Sequence, residues 1–327
     1  MPHPRYPLGF FPTPVMPMKR LAAHFGGPAL YIKRDDQTGL ALGGNKTRKL
    51  EFLLGDALSR GRNMLITGGA AQSNHCRQTA AAAAVAGIGC TLLLGGDPVN
   101  EPDGNLLLDE LLSATIYWDK ENQRGEGLEE LAEQVSQEGF KPYVIPYGGS
   151  NATGALGYVS MAGELAEQIR TGDYPVDHIV FASSSGGTHA GLVVGKELHD
   201  LKAQIHGICI DKHEGKGLPY REMVRVLASE TAVKCGVDIQ FKAHEIILYD
   251  EYLGEGYGVV GDTEREAIGL TARLEGIILD PVYTGRAMGA LIDLIRGNHF
   301  SKKDHILFLH TGGAPALFAY GAALPGL

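Results

Sequence analysis

Cysteine is scarce. Four stand in 327 residues, at 76, 90, 209 and 235, with no Cys-x-x-Cys pair. That spacing excludes a disulfide framework and a thiolate zinc site, and it fits free thiols in a reducing cytoplasm. Cys76, near Ser73, reads as a small, partly buried thiol. Long hydrophobic runs are missing too. The most apolar stretch, 79–94, is interrupted by Gly87 and Gly89 and is too short to cross a bilayer. The opening Met1-Pro2-His3-Pro4-Arg5-Tyr6 has no apolar core, so no secretory leader is expected. Positive charge is not in excess. Lysine and arginine total 29 against 38 aspartates and glutamates, a formal charge of −9, so nucleic acid and anionic membranes are not expected partners. Several chemical signatures are absent as well. The twelve histidines show no H-E-x-x-H or similar spacing, so no metal is expected. No G-x-S-x-G elbow supports Ser-His-Asp hydrolysis. Neither G-x-G-x-x-G nor G-x-x-x-x-G-K-[ST] occurs, so a nucleotide is not the preferred phosphate carrier.

What remains is an ordinary globular composition, 44% hydrophobic and 20% charged, long enough for about two domains. Short apolar runs alternate with amphipathic segments. Strands are predicted at 30–32, 64–67, 90–94, 116–118, 143–145, 178–182 and 306–309. Helices are predicted at 46–59, 74–86, 106–112, 128–138, 155–169 and 190–201, with a short one from Ala314. In the segment 46–59, Leu50, Leu53, Leu54, Ala57 and Leu58 share one side. Such alternation predicts an α/β fold of βαβ units, with mainly parallel sheets and helices on both faces. Ligands in such folds sit at the carboxyl ends of strands.

The glycine clusters fall at those ends. Gly43-Gly44-Asn45-Lys46 puts a lysine where a glycine turn meets a helix. It reads either as a turn with an N-cap or as a reactive amine, since a helix start disfavours the ammonium form. Ser183-Ser184-Ser185-Gly186-Gly187-Thr188 reads either as a plain turn or as a cup of backbone N–H groups for a phosphate. Ser73 and Asn74, in Gln72-Ser73-Asn74-His75, cap a helix or touch a ligand. Tyr283, in Asp280-Pro281-Val282-Tyr283-Thr284-Gly285, either packs or presents a phenol. Tyr257, flanked by Gly256 and Gly258, is poorly explained by packing. His310-Thr311-Gly312-Gly313 offers a further hydroxyl. Arg77 and Arg286 lie near these motifs and read either as cations for a site or as plain surface charges. A lysine, a phosphate cup, hydroxyls and two tyrosines together imply pyridoxal 5'-phosphate.

These motifs, with Phe11-Pro12-Thr13-Pro14, Lys33-Arg34-Asp35-Asp36, Tyr143-Val144-Ile145-Pro146 and Leu279-Asp280-Pro281, span nearly the whole chain. In this order they resemble the pyridoxal-phosphate enzyme group that holds 1-aminocyclopropane-1-carboxylate (ACC) deaminase and D-cysteine desulfhydrase. The resemblance implies fold type II, the tryptophan-synthase-β fold, with two open twisted sheets. It implies a large cofactor domain from 1–48 and 160–327 and a small domain from 49–159. Lys46 would hold the cofactor covalently. Lys49, Ser185, Gly186, Gly187 and Thr188 would bind its phosphate, and Asn74 its ring oxygen. Ser73, Asn74, His75, Tyr257 and Tyr283 would form the substrate side, with Ser73, Tyr257 and Tyr283 joining Lys46 as catalytic groups. A homodimer is also implied.

Two positions divide the group. ACC deaminases carry Glu where Thr284 stands and Leu where Thr311 stands. A carboxylate beside the pyridine nitrogen keeps it protonated and makes the ring a strong electron sink. A hydroxyl leaves it neutral, which suffices when a good leaving group departs at once. The threonines therefore favour β-elimination of a thiol over opening of a cyclopropane, and the resemblance implies D-cysteine as the small amino-acid substrate, giving pyruvate, hydrogen sulfide and ammonia. L-Cysteate sulfo-lyase is the alternative, with ACC deaminase behind it and a non-catalytic binding protein as a reading of another class.

Overall fold

The computed structural model describes residues 3–120, 126–172, 174–211, 214–215 and 217–324. The chain opens with β1 (Val15–Pro17), α1 (Lys19–Phe25), β2 (Ala29–Lys33) and α2 (Lys46–Ser59). Alternating units follow: β3 (Met64–Ala70), α3 (Asn74–Ala86), β4 (Gly89–Gly95), α4 (Gly104–Leu111), β5 (Thr115–Asp119), α5 (Leu128–Gln137) and β6 (Pro142–Val144). Then come α6 (Ala152–Gly172), β7 (His178–Ser183), α7 (Gly187–Leu198) and β8 (Gln204–Cys209). A short hairpin, β9 (Glu214–Gly215) and β10 (Leu218–Pro219), precedes α8 (Tyr220–Lys234). The last elements are β11 (Ile247–Tyr249), α9 (Asp262–Glu275), α10 (Thr284–Arg296), β12 (His305–Leu309) and α11 (Ala314–Ala319).

Two open sheets result. One has the order β5-β4-β3-β6, with every pair parallel. The other runs β1-β2-β12-β7-β8-β11, parallel except where β1 lies antiparallel to β2. Side chains alternate across a strand, so a sheet covered on both faces must be apolar throughout. In β12, Leu307 and Leu309 enter a core with Ile179 and Phe181. Ile306 and Phe308 enter the opposite core with Val180 and α10. In the smaller sheet, Leu65, Leu92 and Leu94 pack toward α2 and α3. Ile66 and Leu93 face Leu128, Leu131 and Val135 of α5.

Helices α2 and α3 have the predicted bounds. Helix α7 starts three residues earlier than predicted, because Gly187 and Thr188 join its first turn instead of ending the preceding loop. Strand β1 and helix α1 escaped prediction. The strand is three residues long and ends in proline, and α1 buries only Leu21, so neither has a readable period. Positions 48/49 and 159/160 fall inside α2 and α6 respectively. Among the described residues, no helix is long and apolar enough to cross a membrane.

An ionic cluster fixes α2. Arg48 donates Nε and Nη2 to Asp35 at 2.8 Å each, and Nη1 to Glu164 of α6 at 2.9 Å. Lys33 pairs with the same Glu164, and the Tyr158 hydroxyl donates to Asp35 at 2.7 Å. Burial pushes the Asp35 carboxyl up, but Arg48, Lys33 and the Tyr158 hydroxyl together outweigh it and hold the group below its usual value. The Lys-Arg-Asp-Asp motif thus anchors the helix that begins at Lys46.

Candidate active site

The glycine turn before Lys46 is tied down on several sides. Thr38 Oγ1 accepts the Gly44 N–H at 2.8 Å and lies 2.9 Å from the Gly44 carbonyl. Asn45 N–H reaches the Thr311 carbonyl at 2.9 Å, joining the turn to the end of β12. Asn45 holds the N-cap position without capping the helix. Its side chain instead accepts from Lys46 Nζ at 3.0 Å and donates to Thr188 Oγ1 at 3.1 Å. Lys46 borders an open cavity yet lies deep in the molecule. Burial, with the Arg77 charge, lowers its pKa to about 8, while Asp280 acts in the opposite direction.

The cavity gathers Lys46, Ser73, Asn74, His75, Ser185, Gly186, Thr188, Tyr283 and Thr311 from the carboxyl ends of both sheets. Ser73 caps α3, its Oγ accepting Cys76 N–H at 3.2 Å. Asn74 Oδ1 accepts from Asn105 Nδ2 at 3.0 Å, which leaves the Asn74 amide N–H groups for a ligand. Thr67 donates its hydroxyl proton to the Ile145 carbonyl at 2.9 Å, so His75 Nε2 must donate to Thr67, also at 2.9 Å. His75 Nδ1 is then a buried lone pair with no partner among the described residues. Burial, reinforced by Lys46 and Lys49, keeps this imidazole neutral.

Lys49 lies behind the serine-glycine turn. Its amine donates to Gly148 O at 3.0 Å and Ser150 Oγ at 3.1 Å. No carboxylate pairs with it among the described residues. Burial, with Lys46 nearby, lowers its pKa well below the usual lysine value. Ser150 Oγ also accepts Gly187 N–H at 3.0 Å and donates to Ser185 Oγ at 2.7 Å. Gly148 has φ +63°, and a Cβ there would meet Ser185 Oγ at 2.2 Å, so only glycine fits. A Cβ on Gly187 would come within 3.0 Å of Lys49 Nζ.

The tyrosines meet at a hydroxyl–hydroxyl distance of 2.7 Å. Burial pushes both phenol pKa values well up, so both stay protonated at neutral pH. Tyr283 lines the cavity, while Tyr257 borders an adjoining one of about 260 Å³ that shares Tyr147. Thr284 is not part of the lining. It is fully buried, and its hydroxyl is held within a turn by Asp280.

Four contributors were missed. Tyr147 and Ser150 follow β6 in Tyr147-Gly148-Gly149-Ser150, the same glycine-and-hydroxyl signal that marked 183–188. Asn105 and Arg77 had no local signal. The reading of Arg77 and Arg286 as surface charges is corrected: both are buried, Arg77 0% and Arg286 2% exposed. Arg77 donates to Asn105 Oδ1 at 3.0 Å and Gly43 O at 2.9 Å, and Arg286 binds backbone carbonyls. Long-range acceptors hold them, and sequence position does not show such partners. Cys76 is fully buried, and burial pushes its thiol well up, leaving it inert.

A family model described as pyridoxal-phosphate dependent enzyme matches residues 6–312. The chain belongs to this family. The enzyme is 47% identical over 323 residues to a D-cysteine desulfhydrase of Klebsiella pneumoniae (strain 342), covering 97% of this chain and 96% of the relative. A D-cysteine desulfhydrase of Klebsiella pneumoniae subsp. pneumoniae is also 47% identical, over 324 residues, with the same coverage. The crystal structure of an ACC deaminase homologue, 39% identical, superposes with a TM-score of 0.89 over 98% of this enzyme and 95% of that chain. O-Ureido-L-serine synthase, 16% identical with a TM-score of 0.65 over 98% and 95% of the two chains, shares the fold alone. The two mainly parallel sheets with flanking helices are those of fold type II pyridoxal-phosphate enzymes, as predicted.

Proposed function

We propose that this enzyme eliminates hydrogen sulfide from D-cysteine, and that the released aminoacrylate takes up water to give pyruvate and ammonia. The observation that carries this reading is the likeness to D-cysteine desulfhydrases over nearly the whole of both chains. The site's own chemistry agrees with it.

Pyridoxal phosphate fits the donor set. Lys49 is a buried amine without a carboxylate partner among the described residues, placed behind a glycine-rich helix start, and an anion there would satisfy both. Ser185, Gly186, Gly187 and Thr188 would hold the phosphate with it. Asn74 has its carbonyl engaged and its amide protons free for a ring oxygen. Thr311 offers a hydroxyl for the ring nitrogen, and Lys46 supplies the amine for covalent attachment. When bound, the cofactor supplies an electron sink that lets an amino acid lose its Cα proton.

The chain's residues do the rest. Lys46, with its lowered pKa, takes the Cα proton near neutral pH; such general base help typically contributes about 10²–10⁴-fold. Ser73 and Asn74 hold the substrate carboxylate through a hydroxyl and an amide N–H, whereas His75, expected on the substrate side, has only the Nδ1 lone pair left and can accept a proton but not bind a carboxylate. The Tyr257–Tyr283 pair, kept protonated, donates a proton to the departing sulfur. A sulfonate leaving group would want a cation in the cavity. Arg77 and Arg286 are instead engaged by a backbone carbonyl and Asn105, and by carbonyls and Glu264. D-Cysteine is favoured over L-cysteate by the likeness to D-cysteine desulfhydrases.

We further propose that the large and small domains follow the two sheets, that the enzyme is a homodimer and that it works in the cytoplasm. The four cysteines, none of them in a disulfide among the described residues, support the last point. Purified enzyme should be offered D-cysteine, L-cysteine, L-cysteate and ACC in turn. Sulfide and pyruvate from D-cysteine are expected. Sulfite from L-cysteate, with no sulfide from D-cysteine, would overturn the substrate assignment.

A further inference from the structure

Arg286 is buried and has no part in the site so far described. Its guanidinium makes four hydrogen bonds in fixed directions. Nε donates to Glu264 Oε1 at 2.6 Å. Nη1 donates to Ile210 O at 2.7 Å and Gly256 O at 3.1 Å, and Nη2 to Val259 O at 2.9 Å. Glu264 is itself fixed, because Oε2 accepts Gly261 N–H at 2.9 Å at the start of α9.

Two of these carbonyls bracket Tyr257. The loop around it has little stiffness of its own. Gly254, Gly256 and Gly258 have φ of +59°, +132° and +75°, conformations that glycine leaves as readily as it enters. Beyond Arg286, Arg265 adds one bond to the loop's end at Val260 O, 3.0 Å away. Arg286 also stands in the first turn of α10, three residues after Tyr283. One planar fork therefore ties the Tyr257 loop to the helix that begins beside Tyr283. A lysine offers a point charge and could not direct three carbonyls at once. The phenols must keep a 2.7 Å contact, which tolerates only a fraction of an ångström of drift.

We propose that Arg286 is a positioning residue that sets the Tyr257–Tyr283 pair for proton delivery. It acts through the backbone at Gly256 and Val259, with Glu264 orienting the guanidinium. This rests on the reading of the two tyrosines as substrate-side proton donors.

The test combines hydrogen exchange with a double-mutant cycle on the holoenzyme. In Arg286→Met, amide exchange across 254–260 should quicken by about tenfold or more, with β3 unchanged as reference. Turnover should fall by about 10- to 100-fold in kcat, with KM within about twofold, as expected for a misplaced catalytic group. Added to Tyr257→Phe, the same change should cost less than about threefold, because its effect passes through Tyr257. Unchanged loop exchange in Arg286→Met would overturn the clamp. A full additional loss on top of Tyr257→Phe would overturn the route through the phenol. Unchanged turnover in Tyr257→Phe alone would overturn the proton-donor reading and, with it, the catalytic use of the clamp. If Arg286→Met does not fold, Glu264→Gln keeps the guanidinium but weakens its orientation. It should loosen the same loop and lower kcat in the same direction, and no change in either would count against the proposal.

Discussion

The Thr284 hydroxyl donates to Asp280 Oδ1 at 2.7 Å and accepts the Asp280 N–H at 2.8 Å. The same carboxylate accepts the N–H groups of Val282, Tyr283 and Thr284. Thr284 is thus closed into the turn that launches α10, while Thr311 faces the cavity. The two threonines should respond differently to loss of the hydroxyl. Thr284→Val should cost stability, about 2–3 kcal/mol for two buried hydrogen bonds and an orphaned N–H. Thr311→Val should leave the melting temperature nearly unchanged and lower kcat by about tenfold, the effect of one lost hydrogen bond to the ring. Thermal melts and D-cysteine turnover on both variants decide it. A stable Thr284→Val with the larger kcat loss would reverse the assignment.

Lys49 is expected to act on the phosphate alone. Lys49→Met should weaken pyridoxal phosphate binding by about 10- to 100-fold, the range for a charge-assisted hydrogen bond. Binding of pyridoxal, which lacks the phosphate, should stay within about twofold of wild type. The melting temperature of the cofactor-free protein should change little, since relief from burying an amine that has no carboxylate partner among the described residues offsets the loss of its hydrogen bonds to Gly148 O and Ser150 Oγ. Equal loss for both ligands would show that Lys49 shapes the pocket instead.

Lys46 should titrate near pH 8 in the cofactor-free protein. Below that pH the amine is mostly charged and unreactive, and above it mostly neutral. Labelling with an amine-selective reagent, followed at the Lys46 peptide by mass spectrometry, should have its half-maximal rate there. Arg77→Met removes a repelling charge, so the midpoint should move upward. A wild-type midpoint near the ordinary 10.5 would contradict the burial argument.

The Arg48–Asp35 pair should be one of the costliest to break. Arg48→Met leaves the buried Asp35 without its partner, and the half-buried Glu164 with Lys33 alone, and should destabilise the protein by about 3–5 kcal/mol at neutral pH. Urea unfolding measures this. Burial pushes Asp35 and Glu164 up, but Arg48 together with Lys33 outweighs it, helped at Asp35 by the Tyr158 hydroxyl, and both sit below their ordinary values. Stability from a depressed carboxylate is present above its unfolded pKa and lost as pH falls through the folded one. The gap between wild type and variant should therefore shrink below about pH 4. Matching urea midpoints at neutral pH would show that the pair contributes nothing net.

From β2 to α7 the order of helices and strands was legible because it follows local periodicity, while β8, α8, β11 and α9 were not placed individually. Helices α2 and α3 were placed to the residue, since each starts at a polar turn and carries an unbroken apolar side. The cup at 183–188 and the tyrosines were also visible, as short motifs at strand ends. Ser150 was missed although it touches Lys49, Ser185 and Gly187. A single serine in a glycine turn looks like many others until its partners are known. Arg77 and Arg286 were misread because charge suggests solvent, and their acceptors are carbonyls 34 and 27–76 residues away.

The sequence alone determined where a lysine meets a glycine turn, which stretches alternate and which signatures are missing. These depend on neighbours a few residues apart, where sterics and hydrogen-bond periodicity act. The tertiary structure decided which of two threonines is open to a ligand, and why Lys46 has a low pKa. Local reasoning pointed to the helix start. The folded protein shows burial as the largest cause, with Arg77 adding to it. Desolvation is set by everything packed around a group, and that is known only once distant segments have met.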